Sequence, residues 1–146
     1  MKNCFFLILA VVVCLLCSCG MTQPLYYWGD KCVNGTTEYE NATYKSYKKQ
    51  TPEALCMMLC TYEKMVKNPG GLRMVPPPGI CAEYAYYLSL PETKDVWTST
   101  ATTSQKRILT RSDFDPYAAE LFELEIKNYP ESALFIKPLM EKLLQR

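Results

Sequence analysis

Thr51-Pro52-Glu53-Ala54-Leu55-Cys56-Met57-Met58-Leu59-Cys60-Thr61-Tyr62-Glu63-Lys64-Met65-Val66 is the stretch that decides the fold class. It opens with a residue suited to cap a helix, then places proline at the first helical position, where a missing N–H is harmless, and an acid in the first turn. Leu55, Leu59, Tyr62 and Val66 follow on one stripe at helical spacing. Asn68-Pro69-Gly70-Gly71 ends the run.

The pattern continues on both sides. Upstream, Asn34-Gly35 marks a turn, and residues 39–50 lack aliphatic side chains but put Tyr44 and Tyr47 on one helical face and Lys45 and Lys49 on the other, which predicts a short first helix. Downstream, Val75-Pro76-Pro77-Pro78-Gly79 is a second boundary, and Cys81, Tyr84, Ala85 and Leu88 form the apolar face of a helix that stops before Pro91 and packs antiparallel to its predecessor. Residues 92–110 are rich in Thr and Ser with little periodicity. They read as a surface insertion in which Val96-Trp97 and Ile108-Leu109 form a small hairpin. Asp115-Pro116 repeats the cap-plus-proline start, and Ala118, Leu121, Phe122 and Ile126 make the next amphipathic face, closed by Tyr129-Pro130. A last helix starts near Ser132, with Phe135, Ile136, Leu139, Met140, Leu143 and Leu144 on its buried side. Pro138 is expected to kink it or mark its true start. The expected architecture is all-α, with about five helices in antiparallel pairs.

Composition narrows function more than it defines it. The 146 residues carry 16 Lys+Arg against 15 Asp+Glu, a formal net charge of +1, which lacks the basic surplus of a nucleic-acid binder. No His is present, so Ser-His and Cys-His nucleophile pairs, HExxH sites and Cys/His zinc fingers do not arise. No catalytic residues, cofactor, metal or small-molecule substrate are assigned, and a non-enzymatic role is expected.

Lys2 precedes an unbroken apolar run from Phe5 to Cys17. A bilayer core about 30 Å thick needs ~20 apolar residues as a helix, whereas a signal peptide needs about 7–15, so the run reads as a signal peptide. Its end, Leu16-Cys17-Ser18-Cys19, resembles the lipobox of bacterial lipoproteins, with a small Ser just before Cys19; Cys14 and Cys17 follow bulky Val13 and Leu16. The resemblance implies cleavage after residue 18, diacylglycerol on the Cys19 thiol and an acyl chain such as palmitate on its new amine, enough lipid for stable anchoring. Gly20 in place of Asp favours the outer membrane by the enterobacterial sorting rule. The alternative is a soluble secreted protein cleaved nearby. Cleavage removes only Lys2 among the charged residues, leaving 15 positive and 15 negative side chains. Residues 1–18 are thus a leader, 19–24 a lipidated tether, and 25–146 the helical domain. A bacterial lipobox makes the glycosylation patterns at Asn34-Gly35-Thr36 and Asn41-Ala42-Thr43 chance matches.

Of the eight cysteines, Cys32, Cys56, Cys60 and Cys81 stay in the domain. Inert core thiols, at least one disulfide and a metal site all remain open; a Cys56–Cys60 bridge within one helix is disfavoured geometrically.

Ala118, Phe122 and Pro130, at offsets of four and eight, match the second half of a tetratricopeptide repeat, and Ala85 and Leu88 suit the first, with residues 92–110 interrupting the turn between them. Leu25-Tyr26-Tyr27-Trp28-Gly29, the block from Arg73 to Tyr84, and Phe122 through Tyr129-Pro130-Glu131-Ser132 together resemble the bacterial lipoprotein family catalogued as domain of unknown function 4810, across essentially the whole mature chain. The chain departs from that pattern in residues 92–110, in an extra proline between Val75 and Gly79, and in its cysteines. The resemblance implies a tetratricopeptide-like lipoprotein at the periplasmic face of the outer membrane, working as an adaptor with other envelope lipoproteins, one of them similar to the curli export channel. A stand-alone periplasmic peptide- or ligand-binding module is the alternative.

Partner-binding candidates are Tyr26, Tyr27, Trp28 and Tyr86. The first three either dock a partner or cap the bundle core. Tyr84, Tyr86 and Tyr87 cannot all face inward on one helix, which leaves Tyr86 to line a concave groove or to be partly exposed. Glu83 and Glu125 are acids that meet across the bundle or sit on solvated faces, the latter being the usual outcome.

Overall fold

The structure, a computed structural model, describes residues 23–144. The leader, Cys19 and the first part of the tether lie outside the described residues. The helices are α1 (Glu38–Lys49), α2 (Pro52–Lys67), α3 (Ile80–Leu88), α4 (Pro91–Thr100), α5 (Thr103–Ile108), α6 (Phe114–Asn128) and α7 (Ala133–Leu144), with a 3-10 turn at Pro130–Ser132. The described residues contain no strand, only an isolated bridge between Lys31 and Thr37 that closes the Asn34-Gly35 turn. The chain is therefore all-α, as its periodicity predicts, and none of these helices is long and apolar enough to cross a membrane.

Local chemistry sets the helix starts. Thr37 and Glu40 form a reciprocal capping box on α1, and the Thr51 side chain accepts the Ala54 N–H at 3.3 Å with Pro52 beside it. α1 forms where predicted, but Tyr44 and Tyr47 point to solvent and small Ala42 faces the bundle. On that exposed face the Lys48 ammonium donates to the Tyr44 hydroxyl at 3.0 Å, between neighbouring turns. α2 is central. It packs against α1, α3, α4 and α5, so its burial extends well beyond the Leu55–Val66 stripe to Cys56, Met58, Cys60, Glu63 and Met65.

The Thr/Ser-rich segment departs from its expected form. It is neither a surface insertion nor a hairpin but the helix pair α4–α5, seated on α2, with Trp97 (6% exposed) and Leu109 (1%) in the core. Burial of Trp97 and Leu109 overrides the strand preference of its residues. Pro91 starts α4 and a Thr102–Gln105 capping box starts α5, while the hydroxyls of Thr98 and Ser99 donate back to the carbonyls of Lys94 and Asp95 at 2.8 Å and so need no partner outside the helix. α3 and α6, which flank this excursion, are the most extensively packed helix pair, with Ala85, Ala118 and Phe122 fully buried.

Two further expectations change. α6 begins at Phe114, ahead of the Asp115-Pro116 start, because Phe114 is buried; the Asp113 carboxylate at its N-cap is held by Arg111 at 2.9 Å and caps no backbone N–H. α7 runs through Pro138 from Ala133, and Phe135 is 74% exposed, while Ile136 and Leu143 are buried.

The loop between α2 and α3 is fixed from outside. Leu72 and Arg73 N–H groups donate to the Pro24 and Leu25 carbonyls at 3.1 Å, and Gly71 (φ +77°) leaves only 2.7 Å between a Cβ and the Leu25 oxygen. Tyr129 donates to the Pro76 carbonyl at 2.6 Å, tying the end of α6 to the proline turn. Because α4 is core, Trp97→Ala is expected to cost about 3–5 kcal/mol in urea unfolding, where removal from a surface insertion would cost about 0.5 kcal/mol or less.

Candidate functional site

Two neighbouring pairs, Tyr62-Glu63 on α2 and Glu83-Tyr84 on α3, exchange hydrogen bonds. Tyr62 donates to Glu83 Oε2 at 2.9 Å and Tyr84 donates to Glu63 Oε2 at 3.0 Å. Each carboxylate takes a second tyrosine from another helix: Tyr39 of α1 donates to Glu83 at 3.1 Å, and Tyr117 of α6 to Glu63 at 2.6 Å. The rings continue the connection. Trp28, Tyr39, Tyr62, Tyr84 and Tyr117 form a chain of contacts with centroids 5.3–6.1 Å apart.

The two carboxylates differ in their surroundings. Glu63 has 0% exposure, and Lys67, four residues on, places its ammonium 2.6 Å from Oε1 and also donates to the Ile108 carbonyl of α5. Burial, followed by the charge of Glu63, pushes the Tyr84 hydroxyl well above the ordinary tyrosine range. Burial and the Glu63 hydrogen bond do the same to Tyr117. Glu83 instead faces a groove of about 790 Å³ bounded by α1, α2, α3 and α4. Tyr39, Tyr62, Tyr86 and Tyr87 line it together with Glu83, and Leu55, Met58, Leu90 and Val96 supply apolar wall. Burial, then Glu83, pushes the Tyr39 hydroxyl up to about 12, so it stays a donor at neutral pH.

Tyr86 is 42% exposed and edge-on to Tyr87 at 5.7 Å, on the groove wall. Tyr26, Tyr27 and Trp28 lie elsewhere and are half-buried against the bundle. Tyr26 packs edge-on to Tyr129 at 6.4 Å beneath the Arg73 guanidinium, Tyr27 donates to Asp30 and abuts Gly70, and Trp28 packs on Tyr39. The structure therefore separates Tyr86 from these three and gives them a packing role.

Glu83 and Glu125 do not pair. Glu125 is buried on α6 and accepts the Gly79 N–H at 2.8 Å, serving as the N-cap that glycine cannot provide for α3. Burial pushes its carboxyl up, opposed by the Gly79, Ala82 and Cys81 amides. Cys56, Cys60 and Cys81 are buried free thiols, Cys32 is a half-buried one, and burial pushes Cys60 and Cys81 up to about 12. Among the described residues no group of three or more Cys, Asp or Glu is placed to hold a metal ion.

Sequence reasoning missed Glu63. Its signal was an acid inside an otherwise apolar helix, followed four residues later by Lys67, a spacing that also describes an ordinary solvated pair. Comparison with protein-family models, with curated proteins and with solved structures finds no match to the chain.

Removing the Glu63 carboxylate leaves two buried hydroxyls without an acceptor, so Glu63→Ala is expected to cost about 3–5 kcal/mol. Tyr117→Phe, which removes one donor and keeps the ring, is expected to cost about 1–2 kcal/mol. Urea midpoints check both, and an unchanged midpoint for Glu63→Ala would contradict the network's structural role.

Proposed function

We propose that the chain is an outer-membrane lipoprotein, anchored through Cys19 at the periplasmic face, whose helical domain is a non-catalytic adaptor that holds a segment of another envelope protein. The groove over Glu83 carries this reading. It is concave, mostly apolar, and equipped with a few fixed polar groups, which is the chemistry of a binding site. The tyrosine hydroxyls around it are held as donors and the carboxylate as their acceptor, an arrangement suited to positioning a ligand. The leader and Leu16-Cys17-Ser18-Cys19 support the anchor, and the family resemblance supports other lipoproteins, including one similar to the curli export channel, as the partner class. Lipid anchoring raises the effective concentration of the groove for partners on the same membrane, so weak contacts suffice.

The size of the groove also suits the second reading, a stand-alone periplasmic peptide- or ligand-binding module, since about 790 Å³ falls in the range of small-molecule sites. A photo-crosslinking amino acid at Tyr86 in intact cells separates the two. A stoichiometric adduct with one envelope lipoprotein is the expected outcome, whereas a small ligand recovered without any protein adduct would favour the stand-alone module. Cys19→Ala should release the protein from the membrane fraction and abolish its lipid mass increment; unchanged membrane association would defeat the anchoring proposal.

A further inference from the structure

Glu63 and Glu83 each accept two tyrosine hydroxyls, one of them exchanged across the α2–α3 pair, but only Glu63 is paired with a cation. At Glu63 the residue four positions on is Lys67, whose ammonium lies 2.6 Å away. At Glu83 the residue four positions on is Tyr87, a ring on the groove wall. Glu83 is exposed, its Oε2 accepts from Tyr39 and Tyr62 while Oε1 accepts from no protein group, and no cation among the described residues lies within ion-pairing distance of it. The groove lining includes a second acid, Glu92, and neither Lys nor Arg. Its aromatic members have electron-rich faces that attract cations. A fixed acceptor, an uncommitted oxygen and adjacent tyrosine rings make a seat for a positive group.

We infer that the groove takes a basic peptide segment of the partner, with an arginine or lysine side chain seated on Glu83 beside Tyr86 and Tyr87. This rests on the reading of the groove as a peptide site. The ligand's cation occupies the role that Lys67 fills at Glu63. Leu55, Met58 and Val96 line the same groove as the carboxylate and offer apolar wall for neighbouring residues of a bound peptide. A free amine would leave most of the groove empty.

The test uses calorimetry with the lipid-free mature domain and three probes: a short peptide alternating leucine and arginine, its counterpart with citrulline for arginine, and agmatine. Citrulline keeps the shape of arginine and removes its charge. The arginine peptide is expected to bind about tenfold or more tightly than the citrulline peptide. Glu83→Gln, which keeps an acceptor for Tyr39 and Tyr62, should abolish that difference, and Tyr86→Ala, at an exposed wall position, should weaken the arginine peptide without lowering the melting temperature. Equal binding of the two peptides, or an undiminished preference in Glu83→Gln, overturns the charge inference and leaves the groove as a peptide site. Agmatine binding as tightly as the peptide overturns the peptide as occupant. Binding of neither peptide overturns the inference as well, and the Tyr86 crosslink then decides the adaptor reading separately.

Discussion

The fold depends on the reciprocal exchange in which Tyr62 of α2 serves Glu83 of α3 while Tyr84 of α3 serves Glu63 of α2. Two crossed hydrogen bonds add a directional constraint on register and facing to the close-packed apolar contacts of this helix pair. Tyr39 and Tyr117 extend the same constraint to α1 and α6. A carboxylate without exposure survives in this bundle because two hydroxyls and one ammonium surround it. Losing any one of those partners exposes the desolvation cost of the rest.

Much of this architecture was legible in the amino-acid order. Thr51-Pro52 and the Leu55–Val66 stripe located α2 to within a residue, and Ala118 and Phe122 stand fully buried on α6. What was hidden involved groups whose partners are distant in sequence. The hydroxyl-to-carbonyl bonds that let Thr98 and Ser99 sit in a helix have no periodic signature, so α4 and α5 looked irregular. Glu63 resembled a solvated acid because Tyr84 and Tyr117 lie 21 and 54 positions away. Tyr86 was recognisable as the odd one out on α3 because three nearby tyrosines cannot share one buried face. The function of Glu125 was not, since a helix cap supplied by another helix leaves no local motif.

The same constraint shapes the proposed site. The groove has a fixed floor because Tyr39 and Tyr62 are held at once by Glu83 and by the ring chain running to Trp28. The aromatic segment next to the tether therefore contributes indirectly: Trp28 supports the back of Tyr39 while Tyr26 and Tyr27 fasten the α2–α3 loop. A preorganised groove gives up little conformational freedom on binding, which favours recognition of a flexible segment. In the proposed setting, lipid brings the partner near and the rigid groove selects it.

Alkaline titration, following tyrosinate absorbance and far-ultraviolet circular dichroism together, tests the exchange most directly. Tyr62, Tyr84 and Tyr117 hold their protons more tightly in the folded state than at the ordinary value of 10.0, so their contribution to stability is complete below that pH and is lost as pH rises above it. These tyrosines are expected to ionise only in one cooperative step with loss of helix. Full tyrosine ionisation while the helical signal persists would contradict it.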